Sequence, residues 1–219
     1  MKKRSLVFAW IMAAVFCCAA CLTASQNPPA DVLKAAEEGL QPYLNKIPVN
    51  ELDQYGFAQG DTLLAATLGA PFQLHTITPA ALEKFSAGTP VGTILTPTSL
   101  WYFPVVLAGQ TRAVLVVDQL DGKWQAVSLG YAPLAKELGA IRAQWKAAQG
   151  YNPVLAVVFQ ARQYLFTVPE KDANNLTPIT SARQPAAKDS GSDYAVLAQA
   201  ADVIAKLKPA VQSALKESK

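Results

Sequence analysis

The sequence predicts an α+β fold, in which helices pack on a mostly antiparallel sheet of about five strands. The first indication is the run of residues 100–130, the stretch richest in aromatic and β-branched residues, which turn signals divide into three short strands. The second is a long amphipathic helix predicted over residues 131–149. The third is the element order, in which two further strands follow that helix. Three strands, a helix and two strands, preceded by helices, favour α+β over an alternating parallel architecture.

The chain divides into four segments by composition. Residues 1–24 read as a signal peptide, residues 30–180 as a single α+β domain, residues 181–192 as a flexible linker and residues 193–219 as a C-terminal amphipathic helix. The linker contains no apolar side chain larger than alanine, which is typical of a segment without a core of its own. The helix carries an apolar stripe from Tyr194 to Leu215, with a kink or break expected at Pro209. We expect this helix either to fold back on its domain or to dock on an envelope protein partner.

The first residues have the layout of a secretory signal, with a basic start, an apolar run and small residues at the end. The apolar run is shorter than the roughly 20 residues that a spanning helix needs. All three cysteines of the sequence lie in this segment, so the domain after it has neither disulfides nor cysteine metal ligands. The protein is therefore expected to be exported.

The sequence Cys18-Ala19-Ala20-Cys21 resembles a bacterial lipobox, although Cys18 stands where Leu, Val or Ile is usual. The resemblance implies lipidation at Cys21 and a membrane anchor on the periplasmic side without a transmembrane helix. Leu22, and not Asp, follows Cys21. In this respect the chain resembles lipoproteins that are transported to the outer membrane. The alternative is ordinary cleavage after Ala24, which would leave a secreted or periplasmic protein without the cysteines.

Charge argues against nucleic acid as a partner. The formal net charge of +3 comes from Lys2, Lys3 and Arg4, because the rest of the chain has 16 basic and 16 acidic side chains. A mature protein without net charge lacks the electrostatic attraction on which binding to a phosphate backbone depends.

Local patterns predict several details of the domain. A helix is expected over residues 30–44, and Asp121-Gly122 predicts a tight hairpin turn. Residues 62–68 are expected to form a short helix, and residues 169–179 a polar loop. Pro104 lacks an N–H group and predicts that its strand lies at a sheet edge or is bulged there.

No pattern typical of catalysis or cofactor binding is found, so we expect neither an enzyme nor a bound cofactor or metal. There is no nucleophile elbow, P-loop or dinucleotide fingerprint. His75 is the only histidine, and we interpret it as a polar strand residue, because one histidine without cysteines cannot form a closed zinc site. Asp118 and Asp121 are interpreted as turn residues and not as calcium ligands. A hydrolase whose carboxylates are distant in sequence stays a less favoured alternative.

An aromatic cluster supplies the one candidate ligand or partner surface, formed by Trp101, Phe103 and Trp124. These side chains either line a binding groove or belong to the core and rim of the sheet. The second interpretation is favoured because large aromatic side chains are usually buried.

The layout of residues 69–168 is loosely similar to small secreted α+β modules such as the PepSY-like and protease-propeptide domains. The residues that carry this similarity are Gly-Ala-Pro-Phe at 69–72, Pro-Val-Val at 104–106 and Asp-Gly-Lys-Trp at 121–124. The similarity implies binding or restraint of other proteins. We therefore expect a lipid-anchored envelope lipoprotein that acts as a non-enzymatic protein-binding or assembly module. The alternative is a periplasmic small-ligand-binding or sensor domain that uses the surface around Trp101 and Trp124.

Overall fold

A computed structural model describes residues 27–179 and 194–217. The predicted signal segment with Cys21 and the predicted linker at 181–192 lie outside the described residues. Within them, helices cover both faces of one mostly antiparallel sheet, which confirms the predicted α+β class. The predicted strand number was wrong, because the sheet has eight strands and not five.

The strands and helices follow one another along the chain without a repeat. The strands are β1 (Thr67–Leu68), β2 (Phe72–Thr76), β3 (Thr96–Leu107), β4 (Gln110–Leu120), β5 (Lys123–Gly130), β6 (Val154–Val158), β7 (Gln163–Thr167) and β8 (Thr177–Pro178). The α-helices are α1 (Ala30–Leu44), α2 (Pro79–Lys84), α3 (Ala132–Gln144) and α4 (Ala200–Glu217). Short 3₁₀ helices in the connections are Val49–Tyr55, Leu63–Ala65, Val91–Ile94 and Ala147–Gln149.

The central strand of the sheet is β2. The spatial order is β5-β4-β3-β2-β6-β7-β8, and β1 pairs with the second half of β3. β2 pairs with β3 in the antiparallel direction and with β6 in the parallel direction, whereas all other pairs are antiparallel. A parallel pair needs a long crossover. Here the crossover includes α3, which leads from β5 at the sheet edge back to β6 in the middle.

Helices on both faces create a core on each side of the sheet. On the first face, α1 covers the half around β4 and β5, and α4 covers the half around β6 and β7. On the second face, α3 packs on β3 and β4. The strand β4 alternates between the two cores, since Leu115 belongs to the α1 side and Val114 and Val116 to the α3 side. The middle strand of the hairpin run is therefore buried on both faces.

The predicted helix over residues 62–68 was wrong. The chain forms a single 3₁₀ turn there and then pairs with β3 as β1. Pro104 lies inside the sheet and not at an edge, and the register of β3 with β4 shifts just after it, between Val105 and Val106. The break between β1 and β2 explains how the sheet accommodates the proline. The carbonyl oxygen of Pro104 accepts a bond of 2.7 Å from the backbone N–H of Gly69, so the backbone of Pro104 faces the break. Its missing N–H therefore removes no ladder bond.

The strand β8 lies in the segment predicted to be a polar loop. The buried side chain of Asn175 makes this possible, because its amide group bonds to both backbone groups of Val168 at 3.0 and 2.8 Å. The amide thus replaces a backbone partner and lets the chain turn back along β7.

The helices after the hairpin run are shorter than predicted. α3 ends at Gln144, and Trp145 has a non-helical backbone. α4 begins at Ala200, and it continues through Pro209 without a break. Its apolar stripe is buried on the sheet, with Val203, Ile204 and Leu207 in the core that β6 and β7 share. The helix thus folds back on its own domain.

The close packing of α1 on β5 depends on Gly39. A Cβ atom at this position would lie 2.3 Å from the Cβ atom of Ala126. We expect Gly39→Ala to lower the free energy of unfolding by about 1–2 kcal/mol, because overpacking costs about 1–3 kcal/mol and better helix propensity returns up to about 1 kcal/mol. Urea unfolding monitored by circular dichroism measures this difference.

The matched control is Gly92→Ala, because no atom lies within 4 Å of the added methyl group. Restoring the space with Ala126→Gly in the Gly39→Ala background should recover part of the loss. Equal stability of Gly39→Ala and the unmodified protein would contradict the tight contact.

Candidate binding groove

A surface groove runs along the contact between α1 and β5. It consists of two adjoining depressions of about 300 and 210 Å³, which share Ala35, Glu38 and Trp124 in their linings. Both are open to solvent. We call this feature the α1–β5 groove and define it by its lining residues: Asp31, Lys34, Ala35, Glu38, Gly39, Pro42, Tyr43, Gly122, Lys123, Trp124, Gln125 and Ala126.

The position of α1 over β5 shapes this groove. At its middle, the absence of a side chain on Gly39 lets the helix approach Ala126 closely. Further along the helix, the hydroxyl group of Tyr43 donates a hydrogen bond of 3.2 Å to the carbonyl oxygen of Ala126. At the other end, Asp31 and Lys34 lie beside the turn that contains Gly122. The helix thus runs beside the strand from the β4–β5 turn onward.

The charges of the groove nearly cancel. Two acidic side chains, Asp31 and Glu38, line it together with two basic ones, Lys34 and Lys123. Lys34 and Glu38 are 3.8 Å apart and both largely exposed, so this ion pair adds little to stability. A groove without net charge has no preference for strongly anionic or cationic ligands.

The predicted aromatic surface is only partly present. Trp101 and Phe103 are 4% and 0% exposed and lie in the core under α1, so they cannot contact a ligand from solvent. This corrects the groove hypothesis for these two residues, because α1 covers the strand face that carries them. Trp124 lies on the same face but nearer the sheet edge, where it is half-buried and lines both depressions. It is the one residue of the predicted set that reaches the groove.

His75 lies on the first face of the sheet, between the area that α1 covers and the area that α4 covers. Its pairing with Ala156, and the pairing of Gln73 with Trp101, place both polar side chains on that face. The Nδ1 atom of His75 is 3.1 Å from the carbonyl oxygen of Gln73. Burial lowers the pKa of His75, although hydrogen bonds to the backbone of Gln73 and Leu155 oppose this shift. These contacts agree with the interpretation of His75 as a polar strand residue.

The hairpin residues Asp118 and Asp121 have the turn role predicted for them. The backbone of Asp121 and Gly122 has positive φ angles of 50° and 77°, as a two-residue hairpin turn requires. Asp118 accepts a bond of 2.8 Å from the backbone N–H of Gln119. Among residues 27–179 and 194–217, no three His, Cys, Asp or Glu side chains come close enough to hold a metal ion. Over the same ranges, no helix combines the length and apolar character that crossing a membrane requires.

Glu137 is a buried carboxylate that the sequence did not indicate. It accepts a hydrogen bond from the hydroxyl group of Tyr194 in the core. Burial raises the pKa of Glu137, and the bond from Tyr194 lowers it in part. Tyr194 also packs edge-on against Phe166, with ring centroids 5.2 Å apart, and its carbonyl oxygen accepts a bond from Trp145. These contacts fasten the chain before α4, so we assign Glu137 a structural role.

Tryptophan fluorescence tests where the aromatic residues lie. The measurement uses the chain from Ser25 onward, which lacks Trp10. Trp101 and Trp145 are buried, so we expect acrylamide to quench mainly the emission of Trp124. Trp124→Phe should leave a folded protein whose remaining emission is poorly quenched. Strong quenching of that variant would contradict the burial of Trp101.

The titration of His75 tests its environment without ambiguity, because it is the only histidine. Its proton NMR signal should titrate with a midpoint below the ordinary pKa of 6.5. The unfolded chain then binds the proton more tightly than the folded protein, so the contribution of His75 to stability should be fully present above about pH 6.5 and should be lost as the pH falls below it. His75→Gln should reduce this dependence, and a midpoint at or above 6.5 would refute the lowered pKa.

Comparisons with protein families, with curated proteins and with solved structures found no match to this chain.

Proposed function

We propose that this protein is an exported, lipid-anchored envelope lipoprotein that acts as a non-enzymatic protein-binding or assembly module. In this proposal the α1–β5 groove is its binding surface. The observation that carries the proposal is the half-buried Trp124 in an open groove beside an edge strand of the sheet.

The groove suits a polypeptide better than a small molecule. Small-molecule sites are mostly enclosed and apolar, whereas this groove is open and lined by four charged side chains. Tryptophan is among the residues that contribute most to protein–protein binding. β5 is an edge strand of the described sheet, and extended peptides often bind beside such edges.

Export and anchoring are supported by the sequence alone. The basic start, the apolar run and the lipobox-like end at Cys21 carry this part of the proposal. A lipid anchor would hold the domain at a membrane face of the bacterial envelope, on the periplasmic side.

The C-terminal helix is a second surface for an envelope protein partner. Because the apolar stripe of α4 is already packed on the sheet, such a partner would contact the solvent-facing side of the helix. This side is polar, so the α1–β5 groove is the stronger candidate.

Binding of a small ligand is the alternative function. The larger depression of about 300 Å³ beside Trp124 favours it. A ligand held there would change the fluorescence of Trp124, and Trp101 would have no part in binding because it is buried.

A photocrosslinking amino acid in place of Lys34, an exposed residue that lines the groove, tests the partner hypothesis in living cells and leaves Trp124 intact. We expect one dominant crosslinked protein from position 34. The matched control is the same amino acid in place of Phe159, which is 51% exposed in the connection between β6 and β7. Equal products from both positions, or no product from position 34, would contradict binding in the groove.

The N-terminal mass tests the anchor independently. The unmodified protein should begin at an acylated Cys21, whereas Cys21→Ser should not be acylated and should leave the membrane fraction. A mature N-terminus at Ser25 in both proteins would refute lipidation.

A further inference from the structure

The chain enters the domain at one end of the α1–β5 groove. α1 begins at Ala30, and its first turn lies beside Gly122 and Lys123 in the β4–β5 turn. Eight residues separate Ala30 from Cys21. An extended chain of this length spans at most about 30 Å. If Cys21 carries the lipid anchor, this end of the groove stays within that distance of the bilayer.

The opposite end of the sheet is further from the attachment point. β4 runs from Gln110 at the far end to Leu120 beside the groove. Its 11 residues correspond to about 33 Å at a rise of about 3.3 Å per residue. The far end of β4 therefore lies about 33 Å along the strand from the end at which the tether enters the domain.

The surface at the near end is compatible with a position at the membrane. Leu120 is 45% exposed there, and Trp124 and Lys123 follow in the chain. Tryptophan and lysine side chains tolerate the boundary between water and lipid, because each combines an apolar body with a polar group. The neighbouring Asp31 and Asp121 reduce any attraction to anionic lipid. This end of the groove therefore lies near the bilayer. The charges of the protein surface there do not favour anionic lipid as the ligand of the groove.

We propose that the β4–β5 turn faces the membrane and that the α1–β5 groove binds a juxtamembrane polypeptide segment, the part of a partner protein that directly flanks its own membrane anchor. This inference rests on the proposed function, because it needs both the lipid at Cys21 and a protein partner. For a partner that is itself anchored in the membrane, the tether length limits the choice: its segments close to the bilayer surface are within reach of the groove, and its segments far from the bilayer are not. The nearly cancelling charges of the groove fit a segment without a strong net charge.

Lengthening the tether tests this proposal. Insertions of about 5 and about 20 Gly/Ser residues between Gln26 and Asn27 would let the domain move away from the bilayer. For a juxtamembrane partner, the effective concentration falls roughly as the −3/2 power of tether length, so the longer insertion should lower crosslinking from position 34 roughly sixfold. The crosslinked peptide of the partner should map next to its membrane anchor.

The outcomes separate this proposal from the proposed function. Undiminished crosslinking with the longer tether, or a crosslinked peptide remote from any anchor, overturns the juxtamembrane partner and leaves a protein-binding module. Absence of a crosslink from an acylated protein overturns both. The N-terminal mass of every variant shows whether acylation was retained.

Orientation is measured without the partner. Acylated full-length protein is placed in phosphatidylethanolamine–phosphatidylglycerol vesicles that contain a headgroup-labelled acceptor lipid. A donor dye is attached at Lys123→Cys or, as the matched control, at Gln110→Cys; both positions are exposed. Energy transfer should be stronger from position 123, and the longer tether should reduce the difference. Equal or stronger transfer from position 110 overturns the proposed orientation.

Discussion

The two-sided pairing of β2 holds the halves of this protein together. On one side β2 bonds to β3 and thereby to the long hairpins, and on the other it bonds to β6 and thereby to β7 and β8. Its apolar side chains Phe72 and Leu74 lie in the core beneath α3. The other face of the strand carries Gln73 and His75, which separate the core under α1 from the core under α4. Everything that positions the groove is therefore built on one side of this strand.

The α1–β5 groove contains a close contact between two small residues, Gly39 and Ala126. Because Gly39 has no side chain, α1 can approach β5 at Ala126, and the surface beside this contact remains open around Trp124. A larger residue at either position would lift the helix and change the groove. Stability and the proposed binding therefore depend on the same contact.

Patterns along the chain identified the aromatic cluster but could not show which of its side chains are buried and which reach the surface. Alternation places Trp101 and Phe103 on one face of β3, and either face of an isolated hairpin could be open to solvent. The outcome depends on where a remote helix packs, and α1 covers these two residues while Trp124 lies near its edge. The buried Glu137 was missed for a related reason, because the Tyr194 hydroxyl group that compensates its burial comes from a segment 57 residues away.

Elements with strong local causes were predictable from the sequence alone. The bounds of α1 at residues 30–44 and the hairpin turn at Asp121-Gly122 each depend on neighbours in the chain. The two-residue strands β1 and β8 have no periodicity of their own and form only because β3 and β7 offer unpaired backbone groups. The strand order, the burial of Trp101 and the open groove beside Trp124 were likewise decided by tertiary packing, because each depends on contacts between segments far apart in sequence.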